Sequence, residues 1–250
     1  MDWSQQFFIY CERGADPSFW AEPFNAISNG AFLVAAALAA HRWSQSATRG
    51  AAELALVAIV GVIGVGSFIF HTFATRWAVI LDVGPIGVFM LAYLIYALRW
   101  FLAAPCWVVA LGAAAFLLSA QVIGLAPCAS GLLPITEAAG RSCYNGSLAY
   151  APALFALPIL TGLLIWRGHP AVWCVGWAAF ALALSITLRT LDLEVCALTD
   201  LFGRARGTHA LWHLLNAIVL YLLLMAAIEH GAAPADSPTR ALRFSLKGRT

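Results

Sequence analysis

His209 and His213 stand four residues apart in the segment Thr208-His209-Ala210-Leu211-Trp212-His213. On a helix that spacing puts both rings on one face, where they can chelate one metal ion. A third histidine, His71, ends the segment Gly66-Ser67-Phe68-Ile69-Phe70-His71, and Ser67 shares its helix face four residues earlier. A carboxylate, Asp82, follows eleven residues after His71. Three imidazoles from two helices form a three-histidine zinc site whose fourth position is open to water, the arrangement of a catalytic zinc. Water on such an ion reaches a pKa of about 7 and becomes a nucleophile at neutral pH.

Taken one at a time, these residues have plainer readings. A membrane histidine commonly makes a helix-to-helix hydrogen bond, Asp82 has Arg76 nearby as an ion-pair partner, and Ser67 can bond back to a backbone carbonyl. Their weight comes from convergence at one depth in a chain with only six histidines. His41, His169 and His230 fall instead at span ends on the opposite side, where interfacial positions need no special cause.

The elements that must position these groups are set by composition. Of 250 residues, 62% are hydrophobic and 10% charged, with a mean hydropathy of +0.83. A soluble domain carries about 25% charge, so lipid must be the solvent for most of this chain. Seven stretches approach the about 20 apolar residues a spanning helix needs. They are Pro23–Ala40, Ala52–Phe73, Ala78–Trp100, Ala104–Gly124, Ser147–Trp166, Ala171–Leu188 and Thr208–Ile228. The expected fold is therefore an all-α, polytopic seven-transmembrane-helix bundle over residues 23–229. An extramembrane segment, 1–22, precedes it, and a flexible basic tail, 230–250, follows. Leu125 to Gly146 reads as an ordered loop and Arg189 to Gly207 as a polar connection. The N-terminus lacks a basic stretch followed by an apolar one, so no cleavable signal is expected. A net charge of +2 without a basic run excludes nucleic acid as a partner.

Seven spans put the termini on opposite sides. Eight Lys and Arg fall on the C-terminal side: Arg42, Arg49, Arg99, Arg167, Arg240, Arg243, Lys247 and Arg249. Six fall on the other: Arg13, Arg76, Arg141, Arg189, Arg204 and Arg206. The balance favours a cytoplasmic C-terminus and a periplasmic or luminal N-terminus. Cys11, Cys128, Cys143 and Cys196 all lie on the N-terminal side, where disulfides are permitted. Four cysteines allow three connectivities, one of which closes the long loop (Cys128–Cys143) and ties the N-terminal segment to the sixth connection (Cys11–Cys196). Cys106 and Cys174 lie in spans and read as small packed hydrophobes.

A second constellation precedes the first span, with Glu12, Asp16 and Glu22 in one short segment. Together with backbone carbonyls they offer oxygens to Ca²⁺. The alternative is a solvated segment whose acids hold no cation, anchored at the interface by Trp3, Tyr10 and Trp20.

Taken together, these segments resemble the alkaline ceramidase family, within the wider superfamily of seven-helix membrane hydrolases that includes the adiponectin-receptor-like proteins. The resemblance covers nearly all the spanning region. It rests on Cys11-Glu12, on Glu22-Pro23-Phe24-Asn25-Ala26-Ile27-Ser28-Asn29, on Gly66 to His71, on Asp82, and on Thr208 to His213. It implies that His71, His209 and His213 bind Zn²⁺ and that Ser67 and Asp82 act beside the metal. It further implies hydrolysis of the ceramide amide to a sphingoid base and a fatty acid, with a membrane lipid as substrate. A calcium site formed by the N-terminal segment is also implied, to which Glu12 and Glu22 match. The family's aspartate three residues before Glu12 is Ile9 here, its asparagine two residues after is Gly14, and Asp16 is the substitute at hand. The Cys11–Cys196 pair is similar to a disulfide of the eukaryotic relatives. A different class of function, a seven-helix receptor or sensor, would keep a closed structural zinc with Asp82 as fourth ligand.

Overall fold

Inside lipid a backbone has no water to bond, so each apolar stretch satisfies its N–H and C=O groups within itself, as helix. The computed structural model describes residues 2–47, 49–124, 143–201 and 203–231. Among these residues seven helices are long and apolar enough to cross a membrane: Pro23–Gln45, Ala51–Phe73, Arg76–Phe101, Cys106–Ile123, Tyr144–Arg167, Val172–Leu191 and His209–His230. The chain is an all-α seven-helix bundle and fits a multi-pass membrane protein. The basic tail and the proposed Cys128–Cys143 bridge involve residues outside the described ones.

The first span is two helices, α1 (Pro23–Ser28) and α2 (Gly30–Gln45). The carbonyl of Asn25 accepts from Ser28 Oγ (2.9 Å) and Asn29 Nδ2 (2.7 Å). Side chains thus occupy the acceptor that the next helical amide would use, and the Asn29 N–H turns to Ala26 instead. After α3 (Ala51–Phe73), α4 (Arg76–Tyr96) starts two residues before the expected Ala78 and ends in a π turn, Ala97–Phe101. The rest are α5 (Cys106–Gly124), α6 (Ala151–Arg167, entered through a 3-10 turn at Cys143–Tyr150), α7 (Val172–Leu191) and α8 (His209–His230). The polar sixth connection holds a small hairpin that no sequence pattern announced, β1 (Asp200–Leu201) paired antiparallel with β2 (Arg204–Ala205). Gly203 turns it with φ +76°, and its N–H bonds Asp200 Oδ1 at 3.0 Å.

Helix α8 packs against α7 and α2, and α3 packs against α4 and α2. One apolar core joins them, with Phe32, Val60, Phe89, Leu164, Val175 and Leu224 buried inside it. Large side chains such as Val34, Leu118, Trp166 and Trp173 face outward, as expected where the solvent is lipid. Cys174 packs against the core, whereas Cys106, expected to be packed, is exposed at the start of α5.

The N-terminal segment lies across the α3–α4 turn. Phe7 N–H bonds the Ala74 carbonyl at 2.7 Å, and Arg76 N–H bonds the Gln5 carbonyl at 3.0 Å. A disulfide joins Cys11 to Cys196, so this segment is tied to the sixth connection as one of the sequence alternatives had it. At the same end, α3 and α4 approach closely through Gly66. Pro85 has no N–H to offer the Leu81 carbonyl, and a Cβ at Gly66 would lie 1.9 Å from that oxygen. Because that oxygen is backbone, it cannot swing aside. Gly66→Ala should push the two helices apart and destabilise the protein by about 1–3 kcal/mol. Thermal unfolding in detergent checks this; an unchanged melting temperature would contradict the close approach.

Candidate metal centre

Three helices bring the sequence-predicted residues to one place. Helix α3 carries Ser67 and His71 near its C-terminal end, α4 carries Asp82 near its start, and α8 opens with His209 and His213. All five side chains are buried. One ligand atom from each of His71, His209 and His213 lies within 4.8 Å of the other two. Among the described residues no Asp, Glu or Cys joins that group. Three buried histidines this close could hold a metal ion.

The hydrogen bonds on the far side of the His71 and His213 rings test whether these two suit one. His71 Nδ1 faces Glu22 Oε2 at 2.6 Å. A carboxylate only accepts, so a proton sits on Nδ1, and in the neutral ring Nε2 keeps its lone pair. Ser28 Oγ gives its one proton to the Asn25 carbonyl, so at 2.7 Å it accepts from His213 Nδ1. Both Nε2 atoms are buried and meet no hydrogen-bond partner among the described residues. An orphaned imidazole nitrogen is costly in an apolar bundle unless something coordinates it. Orientation of ligand rings through their second nitrogen is what metal sites use.

The two remaining site residues are neighbours. Ser67 Oγ and Asp82 Oδ1 are buried and without a hydrogen-bond partner among the described residues. The plainer readings of these two residues do not hold here. Arg76 donates to Gln5 Oε1 at 2.7 Å, and it is Thr72, not Ser67, that bonds back to helix carbonyls. Asp82 lies close to Ser67 and within electrostatic reach of His71 and Arg189.

Several residues around the centre escaped the sequence reading. Tyr10, read as an interfacial anchor, is buried, and its ring stacks on His209 with centroids 3.8 Å apart. Trp212 stacks on the same imidazole at 5.0 Å. Arg189, counted as a loop charge, is buried among the rings of Tyr10, Tyr150 and Trp212, and its Nη1 reaches Tyr10 Oη at 3.2 Å. Asp192 accepts from the N–H groups of Thr208 (2.8 Å), His209 (2.9 Å) and Cys11 (3.0 Å). It thereby caps α8 and fastens it to the disulfide-linked segment. A signal existed only for the residues at the start of the first span: Glu22, Asn25 and Ser28 recur every three residues, a polar stripe opening an apolar stretch.

Glu12, Asp16 and Glu22 do not gather around one point. Glu12 accepts from the N–H groups of Phe24 (3.0 Å) and Asn25 (2.8 Å) and from Arg206 (3.1 Å). Glu22 is shared by Arg13, Asn25 Nδ2 and His71. Burial would raise its pKa, but the His71 ring, the Asn25 amide and Arg13 outweigh burial and hold it below its ordinary value. Asp16 is at the surface, 3.6 Å from Arg204. Each acid faces an arginine, and the buried oxygens face N–H donors. Ca²⁺ needs about six to eight oxygens turned toward it, so these residues do not fit the calcium expected of them.

No family model matches the chain, and no curated protein matches it. The ring-orienting bonds give the centre its own test. Ser28→Ala removes the acceptor that fixes His213 and should weaken metal binding about 10–100-fold. Competition against a chromophoric chelator measures this, and wild-type affinity in the variant would remove Ser28 from the site.

Proposed function

We propose that this chain is a zinc-dependent intramembrane hydrolase of lipid amides, with ceramide as its substrate and a sphingoid base and a fatty acid as its products. One observation carries the reading: Asp82, with one buried oxygen unpartnered, lies close to Ser67 and within electrostatic reach of His71, beside two imidazole Nε2 atoms that meet no hydrogen-bond partner. The absence of Asp82 from the ligand group supports an open fourth position over the closed site a sensor would keep.

His71, His209 and His213 would hold the zinc. When bound, it supplies Lewis acidity, lowering the pKa of water towards neutrality and polarising a carbonyl. Asp82 takes the proton of the attacking water and returns it to the amine nitrogen as the C–N bond breaks. Ser67 donates its hydroxyl proton as a hydrogen bond to the oxygen on which negative charge grows. The new C–O bond yields the carboxylic acid, and the amine leaves with the proton.

A lipid substrate fits the surroundings. An apolar cavity inside the bundle is lined by Phe32, Ile63, Phe89, Tyr150, Trp212 and Val219. Trp212 also stacks on His209, and Phe32 lies against His213, ring centroids 6.2 Å apart. An acyl chain in that cavity would bring its amide to the histidines. The resemblance to alkaline ceramidases is what points to ceramide rather than another N-acyl lipid. A luminal or periplasmic N-terminus is supported by the Cys11–Cys196 disulfide. The burial of Arg13 and Arg189 supports it too, since both leave the surface charge count on that side.

Asp82→Ala should lower ceramide turnover by about 10²–10⁴-fold, the range of general acid–base catalysis, and His209→Ala should abolish it, with both proteins still folded in detergent. Mass spectrometry of products from a panel of N-acyl lipids reads the outcome. Wild-type turnover in either variant would sink the mechanism.

A further inference from the structure

Among the described residues, Arg13 is the largest side chain to be fully buried, and its surroundings are made of oxygen. Nε bonds Glu22 Oε1. Nη1 donates to the carbonyls of Asp16 (3.2 Å) and Ser18 (3.1 Å), and Nη2 to those of His71 (2.9 Å) and Thr72 (3.4 Å). A guanidinium has five N–H groups, and five acceptors meet them. Two of these acceptors lie in the last turn of α3, where carbonyls lack amide partners and the helix dipole favours a cation. The other carbonyls belong to the N-terminal segment, and the carboxylate is the one that faces His71.

We propose that Arg13 is a built-in cation that replaces the calcium expected in this segment and assembles the metal centre without it. It is a positioning residue. It joins the N-terminal segment to the end of α3 and fixes Glu22 where one oxygen takes the guanidinium and the other takes the His71 Nδ1 proton. Arg206 does the same for Glu12, with its guanidinium also over the Phe24 ring at 4.5 Å. A divalent ion would need these oxygens freed from their arginines. Lysine would supply the charge at Arg13 but only three donors from one point.

Two measurements test this. The first is calcium content and thermal unfolding of the purified wild-type protein, with and without millimolar CaCl₂. No bound calcium and no shift in melting temperature are expected; stoichiometric calcium or a calcium-dependent gain in stability overturns the proposal. The second is zinc affinity by chelator competition. Arg13→Ala should bind zinc about 10–100-fold more weakly, as loss of an outer partner does. Millimolar guanidinium should restore the affinity in Arg13→Ala but not in Glu22→Gln. Wild-type affinity in Arg13→Ala, or equal rescue of both variants, overturns it. If Arg13→Ala does not fold, Arg13→Lys takes its place, with weakened zinc binding expected and wild-type affinity overturning the role. The role of the zinc in hydrolysis is a separate reading: a wild-type protein that binds no zinc defeats that reading, while the calcium measurement still decides this one.

Discussion

Glu22 is the hinge of the structure. Its carboxylate lies fully buried between a guanidinium and an imidazole, at the edge of a bundle whose solvent is lipid. A charge in that position persists only where it is paired and hydrogen-bonded on every side. Arg13 and Asn25 supply the pairing from the N-terminal segment and α1, and His71 supplies it from α3. Satisfying one carboxylate therefore fixes three elements relative to each other. It also decides which nitrogen of His71 carries its proton, and so which nitrogen is left for a metal.

The other half of the chamber is built by the same logic with a different acid. Asp192 takes the free amides at the start of α8 and the amide of Cys11, while the disulfide carries Cys11 to Cys196. The N-terminal segment is thus held at one side to α3 and at the other to α8, the two helices that bring the histidines. Close contact of Gly66 with α4 adds the third helix. Among the buried groups left without a partner at the centre are those that chemistry would use: two imidazole nitrogens, one hydroxyl and one carboxylate oxygen.

Much of this was legible in the sequence. Apolar length gives the spans, because nothing else satisfies a backbone in lipid. Four-residue spacing gives the shared faces of Ser67 with His71 and of His209 with His213. Alternation of the spans puts the five groups at one end. The outer residues were harder to see because their meaning depends on partners far along the chain. Arg13 and Arg189 read as surface charges, since nothing local to either reveals Glu22 and the α3 carbonyls, or three aromatic rings. Glu12 and Glu22 suggested an ion because acids without visible partners invite one; the partner of Glu12, Arg206, is nearly the whole chain away. The break after Ser28 and the hairpin at Asp200–Ala205 were invisible for a similar reason. Both are made by side-chain and turn bonds too short in range to leave a hydropathy signal.

X-ray absorption at the zinc edge of the purified protein tests the central claim most directly. About one zinc per chain is expected, with three imidazole nitrogens and one exchangeable oxygen at about 2.0–2.1 Å, and the signal is expected to vanish in His71→Ala. A sulfur-containing shell, a closed shell with Asp82 as fourth ligand, or a protein that takes up no zinc would contradict it.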